Sequence, residues 1–411
     1  MRFSSQSYMK AKEARLSSIS CLLLALHFVT SCSLVPQAAA SPTASQGSLH
    51  TPVQLGPTWT PERPTVHTID PTQEPIATND PCQSLVSFPE GWIAFSSSHE
   101  AIDEIYIMHA DGEGELFRLT DSQGIDANPS WSPSGEKLAI ESDRGLAFGN
   151  TDILVIDLEG TTLHRFGSPA SIESHPQWSP DGQDLAYSSS KGDTSSIVIT
   201  KVDRETQNII RSPFPWNVKP SWSPDGNFLI WLANDGTSDA YFDIMLYDTF
   251  NEVTTNLTDG FQVHPWIYYS WSPDGSTLVF SLYRDEIFDI YLLDLDSRNM
   301  IRLTDDEARD LEPSWSPDGE RIAFISDRGG NYDLYVINRD GTEERQITDT
   351  DTTDQYPAWS PDGSYIAYLA KAAHGGDVVH IARADGCKIY KLNDAISSNV
   401  TRPVWSPVVD Q

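Results

Sequence analysis

The tripeptide Trp-Ser-Pro occurs seven times in this chain of 411 residues, and the repeat limits what the chain can fold into. Its tryptophans stand 44 to 49 residues apart, at positions 131, 178, 222, 271, 315, 359 and 405. A steady period of this length indicates one supersecondary unit repeated in series, because each unit buries its apolar face only against its neighbours. The sequence therefore predicts a repeat architecture rather than several unrelated domains.

The unit around Trp315 shows the pattern within each repeat. Residues 313–316 are a short predicted strand, A, and the following Pro317-Asp318-Gly319 is a turn sequence, since proline presets one φ angle and glycine accepts a positive one. Residues 321–326, 332–337 and 345–348 are apolar or alternating runs and predict strands B, C and D. Four short strands in a unit of about 45 residues are typical of one β-propeller blade.

The ends of the repeat region hold two half units. Residues 92–96, 104–108 and 116–120 predict strands B, C and D without an A strand, whereas residues 402–407 predict an A strand without a B strand. Because the two halves complete one another, the predicted fold class is all-β. It is a seven-bladed β-propeller of four-stranded antiparallel blades, closed by a C-terminal inner strand that joins the N-terminal blade. Such closure removes the unpaired sheet edges that favour aggregation.

The repeated pattern resembles that of a known family. Pro-x-Trp-Ser-Pro-Asp-Gly, followed by Ile-Ala-Phe, Ser-Asp-Arg-Gly and Asp-Leu-Tyr-Val-Ile, is similar to the propeller repeat of TolB and of prolyl-oligopeptidase and dipeptidyl-peptidase relatives. The resemblance covers about residues 91–407. The TolB pattern implies a small α/β domain followed by a six-bladed propeller. The peptidase pattern implies an added hydrolase domain with a Gly-x-Ser-x-Gly motif. Since this sequence has neither feature, the resemblance implies a stand-alone propeller, not a TolB orthologue or a peptidase.

The N-terminus has the pattern of a targeting segment. Four basic residues precede an apolar run over residues 19–29, which is too short to span a bilayer. Val29-Thr30-Ser31-Cys32 resembles a bacterial lipobox, so residues 1–31 are interpreted as a lipoprotein signal peptide and Cys32 as the lipidated residue. The alternative is an ordinary signal peptide cleaved within residues 38–40. The first interpretation predicts an extracytoplasmic protein, lipid-anchored to the membrane on its periplasmic or cell-surface side.

The remaining domain boundaries follow from composition and cysteine position. Residues 32–81 comprise the lipidated cysteine and a spacer rich in Pro, Thr and Ser, which cannot bury a core, and residues 82–411 are the predicted propeller. Cys82 precedes the first B strand and Cys387 lies in the last C–D turn, so both are expected at the seam between the last and first blades. Secretion permits a disulfide there. The alternative is two unrelated thiols.

Candidate binding residues lie three positions before each tryptophan, where the inner strands begin. Blade geometry predicts that they form a ring around one mouth of the central channel. These ring residues are Asn128, His175, Lys219, Tyr268, Glu312, Tyr356 and Arg402. Their polar, aromatic and mixed-charge character suits a peptide or a small polar ligand. The alternative is a solvated channel lining.

The D–A loops on the same face add an aromatic and an acidic sector. The loop-face aromatics are Phe214, Trp216, Phe261 and Trp266. They could form a protein-binding hot spot or a stacking platform for a sugar. In the acidic sector, Asp349, Asp351 and Asp354 are a weak candidate for Ca²⁺, and the alternative is solubilising charge.

Charge and motifs restrict the function. A formal net charge of −32 excludes broad binding of nucleic acid or anionic membrane. No metalloprotease motif, nucleophile elbow, P-loop or dinucleotide fingerprint is present, so catalytic residues are not assigned. We expect a monomeric, non-catalytic scaffold without a cofactor that binds a protein or peptide in the cell envelope and meets the membrane only through its lipid. The alternative is a glycan-active lyase or hydrolase, or a carbohydrate-binding protein, on the same propeller.

Overall fold

A computed structural model describes residues 91–99, 102–110, 116–146, 149–236, 242–259, 268–284, 287–371, 377–392 and 400–407. Within these ranges every regular element is a β-strand, and none of them contains a helix that could cross a membrane. The predicted signal peptide and spacer, together with Cys32, lie outside these residues, so their assignment stays a prediction.

The first half of the described chain contains fourteen strands. They are β1 (Trp92–His99), β2 (Ile102–His109), β3 (Leu116–Arg118), β4 (Asp126–Trp131), β5 (Lys137–Ser142), β6 (Asp152–Asp157), β7 (Thr162–Phe166), β8 (Ile172–Trp178), β9 (Asp184–Lys191), β10 (Thr194–Lys201), β11 (Thr206–Ile210), β12 (Trp216–Trp222), β13 (Phe228–Asn234) and β14 (Asp243–Asp248).

The second half contains fourteen more. They are β15 (Val253–Asn256), β16 (Tyr269–Trp271), β17 (Thr277–Arg284), β18 (Ile287–Asp294), β19 (Met300–Arg302), β20 (Asp310–Trp315), β21 (Arg321–Ser326), β22 (Asp333–Asn338), β23 (Arg345–Gln346), β24 (Thr353–Trp359), β25 (Tyr365–Lys371), β26 (Asp377–Arg383), β27 (Ile389–Lys391) and β28 (Val404–Trp405).

These strands form seven antiparallel four-stranded sheets, which confirms the predicted seven-bladed propeller. Blade 1 has the order β28-β1-β2-β3, and blades 2 to 7 each use four consecutive strands from β4 onward. The predicted closure is also confirmed, because β28 pairs with β1 through Ala94 with Val404 and Ile93 with Trp405. The outer D strands are shorter than predicted. For example, β23 ends at Gln346, and beyond it the hydroxyl of Thr348, rather than a backbone carbonyl, accepts the N–H of Leu334 at 2.8 Å.

The core is divided into seven apolar clusters, each shared by two adjacent blades. The cluster between blades 1 and 2 joins Ile105 to Trp131 and Leu138, and the cluster between blades 7 and 1 joins Phe95 to Leu369 and Ile381. Because no blade buries its faces alone, the hydrophobic stabilisation of each blade depends on both neighbours.

The repeated tryptophans lie at these boundaries, as expected for an interblade core residue. Five of the seven are only 5–8% exposed. Four donate their indole N–H to the carbonyl before the tryptophan of the preceding blade: Trp131 to Val404 at 3.1 Å, Trp271 to Ser221 at 3.4 Å, Trp359 to Ser314 at 3.0 Å and Trp405 to Ala358 at 2.9 Å. The indoles therefore link successive blades around the channel.

The A–B turns that carry Trp-Ser-Pro, together with the C–D turns, define what we call the turn face of the ring. The B–C and D–A loops define the opposite loop face. The turn sequence acts as predicted: Asp318 accepts the N–H of Glu320 at 3.0 Å, and Gly319 has a φ of 72°. Each inner A strand thus runs from the loop face to the turn face.

Candidate functional site

The ring residues occupy a special backbone position in the inner strands. Five of them, Asn128, His175, Lys219, Glu312 and Tyr356, have positive φ angles between 50° and 58°. A register shift follows at the same point in each of these five strands. The next residue in each case is proline, which has no N–H to give to the ladder and so favours a bulge.

The backbone N–H freed by the bulge bonds to the preceding blade. The N–H of His175 donates to the carboxylate of Glu141 at 2.6 Å, and that of Lys219 donates to the hydroxyl of Ser188 at 3.1 Å. The N–H of Tyr356 donates to the carboxylate of the ring residue Glu312 at 2.5 Å. The bulge is therefore fixed by its neighbour, and a bulge held this way re-aims the side chain it carries.

Four ring side chains meet around Tyr268 and form what we call the mouth cluster. The Lys219 ammonium lies 4.8 Å from the centre of the Tyr268 ring, the Tyr356 ring centre lies 5.4 Å away, and the Arg402 guanidinium carbon lies 5.8 Å away. Glu312 joins through its bond to Tyr356. Because these residues come from blades 4 to 7 and blade 1, the contacts cross the channel.

Burial in the mouth cluster shifts the pKa values of its titratable side chains. Burial raises the pKa of Glu312 to about 7, against the opposing effects of the Tyr356 N–H and of Arg402 and Lys219. Burial lowers the pKa of Lys219 to about 8, although Glu312 opposes the shift. Burial also raises the pKa of Tyr268 well above its ordinary value. Perturbed groups of this kind concentrate at functional sites.

Asn128 and His175 occupy the same ring position in blades 2 and 3. The Nδ1 atom of His175 lies 3.0 Å from the Ser174 hydroxyl. The structure thus joins five ring residues through side-chain or backbone contacts, and it places the other two on the adjoining arc of the ring.

The three aspartates of the acidic sector differ in their exposure to solvent. Asp354 is fully buried, and its carboxylate accepts hydrogen bonds from Thr348 at 2.6 Å and Thr352 at 3.0 Å, whereas Asp349 and Asp351 are exposed. In the part of the chain that the structure describes, no group of three His, Cys, Asp or Glu side chains is arranged to hold a metal. Asp354 thus has its hydrogen-bond partners inside the protein, whereas Asp349 and Asp351 are open to solvent, and the weak calcium candidate stays a prediction.

The aromatic sector is described only in part. Phe214 packs against the core cluster between blades 3 and 4, and Trp216, half-buried, begins β12. Phe261 and Trp266 lie outside the described residues. Cys387 is disulfide-bonded, but Cys82 is also outside the described residues, so the predicted pairing stays a prediction.

The Ser-Asp-Arg-Gly segments have a structural role. Arg144 forms a 2.5 Å ion pair with the buried Asp126, and Arg328 forms a 3.0 Å ion pair with the buried Asp310. Each arginine therefore ties a B–C loop to the A strand of its own blade, and the buried acid keeps a charged partner.

Two buried carboxylates that have no basic partner within the described residues make the stability depend on pH. Burial raises the pKa of Glu173 and of Asp354 to about 7, with hydroxyl hydrogen bonds opposing the shift. Between about pH 4 and pH 7 the folded state then binds more protons than the unfolded state, so the free energy of unfolding falls as pH rises. The stabilisation is complete below the unfolded pKa values and is lost as pH passes through about 7.

We expect each of these groups to remove on the order of 2 kcal/mol between pH 5 and pH 8. Thermal melts across this range check the slope. The double variant Glu173→Gln, Asp354→Asn should flatten it, whereas Asp340→Asn, which removes a charge from an exposed turn, should leave it unchanged. An equal slope in all three proteins would attribute the effect to overall charge and contradict the assignment.

A further feature, which the sequence analysis missed, lies at the turn-face end of the same inner strands. A cavity of about 340 Å³ is lined there by Trp271, Trp315, Trp359, Trp405, the prolines that follow the first three of them, and Arg402. We call it the tryptophan cavity. The signal was present in the sequence, since seven tryptophans at the ends of inner strands must converge on the channel axis.

Comparison with known proteins identifies similar chains. The model of the TolB beta propeller domain matches residues 146–266 and 264–409. A TolB homologue from Chlorobium luteolum is 40% identical over 81 residues, which cover 18% of this chain and 18% of that protein. The matched part is thus under a fifth of this relative's length.

Solved structures share the fold at low identity. TolB from Acinetobacter baumannii has a TM-score of 0.52 and 20% identity, over 77% of this chain and 67% of that one. An oligogalacturonate lyase from Vibrio parahaemolyticus has a TM-score of 0.54 and 14% identity, over 74% of this chain and 85% of that one. At these identities the likeness concerns the fold alone.

Proposed function

The chain belongs to the family of TolB β-propeller domains, and from this we propose that it is a non-catalytic scaffold of the cell envelope that binds a protein or peptide. Binding takes place on the loop face and at the channel mouth, where the ring residues differ from blade to blade. The scaffold is extracytoplasmic and held to the membrane by a lipid on Cys32.

One observation carries this proposal. At the five ring positions with positive φ, glycine would be free of strain, yet each holds a different side chain, from Asn128 to Tyr356. Strain of this kind persists where the surrounding structure over-determines it, often at binding sites. A ring that displays six kinds of side chain from seven positions suits recognition of one irregular ligand better than a repeated structural role does.

The mouth cluster adds residues that favour binding. It contains two tyrosines and an arginine, and Tyr and Arg are enriched at binding hot spots. Its charges are of both signs, and their partial burial strengthens their interactions with a ligand.

Recovery of envelope partners tests the proposal. The full chain and its Trp216→Ala and Tyr356→Ala variants are used to capture proteins from an envelope extract, with Phe250→Ser as the matched control. Phe250 is 90% exposed in a C–D turn on the opposite face. We expect both loop-face variants to recover a specific partner at least about tenfold less well, the loss of about one hot-spot contact. Equal recovery by all four proteins would contradict a loop-face binding site.

The glycan-active alternative is supported only by the shared propeller fold. A turnover assay with polygalacturonate and Mn²⁺ addresses it directly, because a lyase would release unsaturated products that absorb ultraviolet light. We expect no turnover above that of a sample without protein.

A further inference from the structure

The tryptophan cavity shares Arg402 with the mouth cluster, so this inference rests on the proposed function and deepens it. It is formed where the A strands of blades 5, 6, 7 and 1 end, and its walls include four indoles and the prolines Pro273, Pro317, Pro361 and Pro403. Its volume of about 340 Å³ falls within the range of small-ligand sites. The cavity is therefore large enough for a single amino acid side chain with its backbone, or for a small aromatic acid.

The hydroxyl groups in the cavity wall are already used. Ser316 and Ser360 are fully buried, and each donates its hydroxyl to the aspartate of its own turn, Asp318 in one case and Asp362 at 2.5 Å in the other. Both hydroxyls also accept a backbone N–H from the following B strand, at 2.9 and 3.0 Å. These serines thus shape the turns and offer no open hydrogen-bonding group to a ligand.

The backbone carbonyls in the wall are used as well. The carbonyls of Ser314, Ala358 and Val404 each accept an indole N–H from the next blade, at 3.0, 2.9 and 3.1 Å. The wall therefore presents apolar surface together with polar atoms, most of which already have a partner. A sugar with many hydroxyls would leave most of them unpaired in such a site, which costs free energy for each group.

Arg402 is the exception in this wall. Its Nε atom is buried and has no hydrogen-bond partner, and in the described ranges no hydrogen bond or ion pair engages its guanidinium. The guanidinium contacts the face of Tyr268, with its carbon 5.8 Å from the centre of the ring. A guanidinium has five N–H donors in a planar fork that fits a carboxylate, so a buried N–H left unpaired calls for an anion.

The charges around Arg402 favour an anion too. Within the mouth cluster the bases Lys219 and Arg402 outnumber the acid Glu312, and Asp377 acts on the cluster only through Tyr356. The cluster thus carries an excess of positive charge in a chain whose formal net charge is −32. An anion drawn to the channel would gain most there, because burial reduces screening by solvent and salt.

We propose that the tryptophan cavity binds a carboxylate attached to an apolar or aromatic group, with Arg402 donating to the carboxylate and the indoles and prolines enclosing the apolar part. Two sources share this chemistry: the C-terminal residue of a peptide and a free aromatic acid. In both, the carboxylate supplies the acceptor that Arg402 lacks, and the apolar body replaces water against the tryptophans.

Calorimetry on the full chain with matched probes tests the proposal. The probes are N-acetylphenylalanine and the peptide acetyl-Ala-Pro-Phe, each as the free acid and as the amide. We expect the acids to bind at least tenfold more tightly than the amides, because the amide removes the charge that Arg402 recognises. A peptide preferred over N-acetylphenylalanine identifies a chain terminus as the ligand, whereas equal affinities identify a small acid.

Two pairs of variants locate the site. Arg402→Gln should lose the preference for acid over amide, and Arg402→Lys should retain part of it. Trp315→Phe should weaken binding severalfold, whereas Trp178→Phe should not. Trp178 is the matched control: it has the same repeat position, similar burial and an indole N–H that is likewise unpaired, but it does not line the cavity.

Three outcomes would overturn the proposal. The first is the absence of saturable binding by both acids up to roughly 10 mM, which corresponds to a binding free energy weaker than about 2.7 kcal/mol. The second is equal affinity for acid and amide. The third is full acid preference in Arg402→Gln, with melting curves confirming that the variant is folded.

Discussion

Removal of residues 402–411 is expected to unfold the whole ring rather than shorten it. The deletion takes away β28, so the edge of β1 loses its pairing at Ile93 and Ala94. It also removes Trp405 and its bond to Ala358, and the carbonyl of Val404 that accepts the indole of Trp131. Blade 1 would then lose its inner strand and the indole bonds to both neighbours, while the apolar contacts of β1 and β2 remain.

Of all the predicted changes, this deletion is expected to lower the free energy of unfolding most. Deleting a buried tryptophan alone costs about 3–5 kcal/mol, and a whole domain is stable by only about 5–15 kcal/mol. Urea unfolding followed by tryptophan fluorescence checks the result. A chain lacking only residues 408–411 is the control and should unfold like the parent, because it keeps the contacts of β28. If the longer truncation also unfolded at the parent's midpoint, the ring would not depend on β28.

Replacing a single repeat tryptophan with alanine should produce the next largest loss of unfolding free energy. The loss should be greater where the indole N–H forms a hydrogen bond. Trp315 and Trp359 are both buried between blades, but only Trp359 has a bonded indole N–H, which donates to Ser314 at 3.0 Å. We expect Trp315→Ala to cost about 3–5 kcal/mol through the cavity it leaves. Trp359→Ala should cost about 1 kcal/mol more, because the carbonyl of Ser314 loses its partner.

Phenylalanine variants separate the two contributions. Trp359→Phe retains most of the packing and loses the hydrogen bond, whereas Trp315→Phe loses packing alone. Equilibrium unfolding in urea measures all four proteins. A cost for Trp315→Ala below about 1 kcal/mol would mean that the site collapses around the missing ring, and the tryptophans would then not be core residues in the sense argued here.

The strands and their closure could be predicted because turn chemistry and apolar period act locally. Residues 321–326 were predicted as a strand with the bounds that β21 has, and the orphan A strand at Trp405 was assigned to the first blade. Strand propensity and apolar pattern are enough to predict the strands, because every unit repeats the same local sequence pattern. The seven ring positions were likewise placed by counting back from each tryptophan.

What the sequence could not show was the direction of side chains. The sequence groups Asp354 with Asp349 and Asp351 as a weak calcium candidate or as solubilising charge, yet Asp354 is fully buried, where Thr348 and Thr352 donate to it. Tyr268 was expected on the rim, yet it contacts side chains from three other blades. Since a shift of one residue exchanges the two faces of a strand, such details depend on tertiary contacts and not on local pattern.

The indole bonds also bear on where the ring is weak. Trp131 and Trp405 bind across the two borders of blade 1, the one blade assembled from both ends of the chain. The indoles of Trp178 and Trp222, at the two borders of blade 3, have no such bond. The blade that joins the two chain ends therefore has indole hydrogen bonds at both of its borders. A circular permutation that moved the termini to blade 3 would place them at borders where the tryptophans form no such bond.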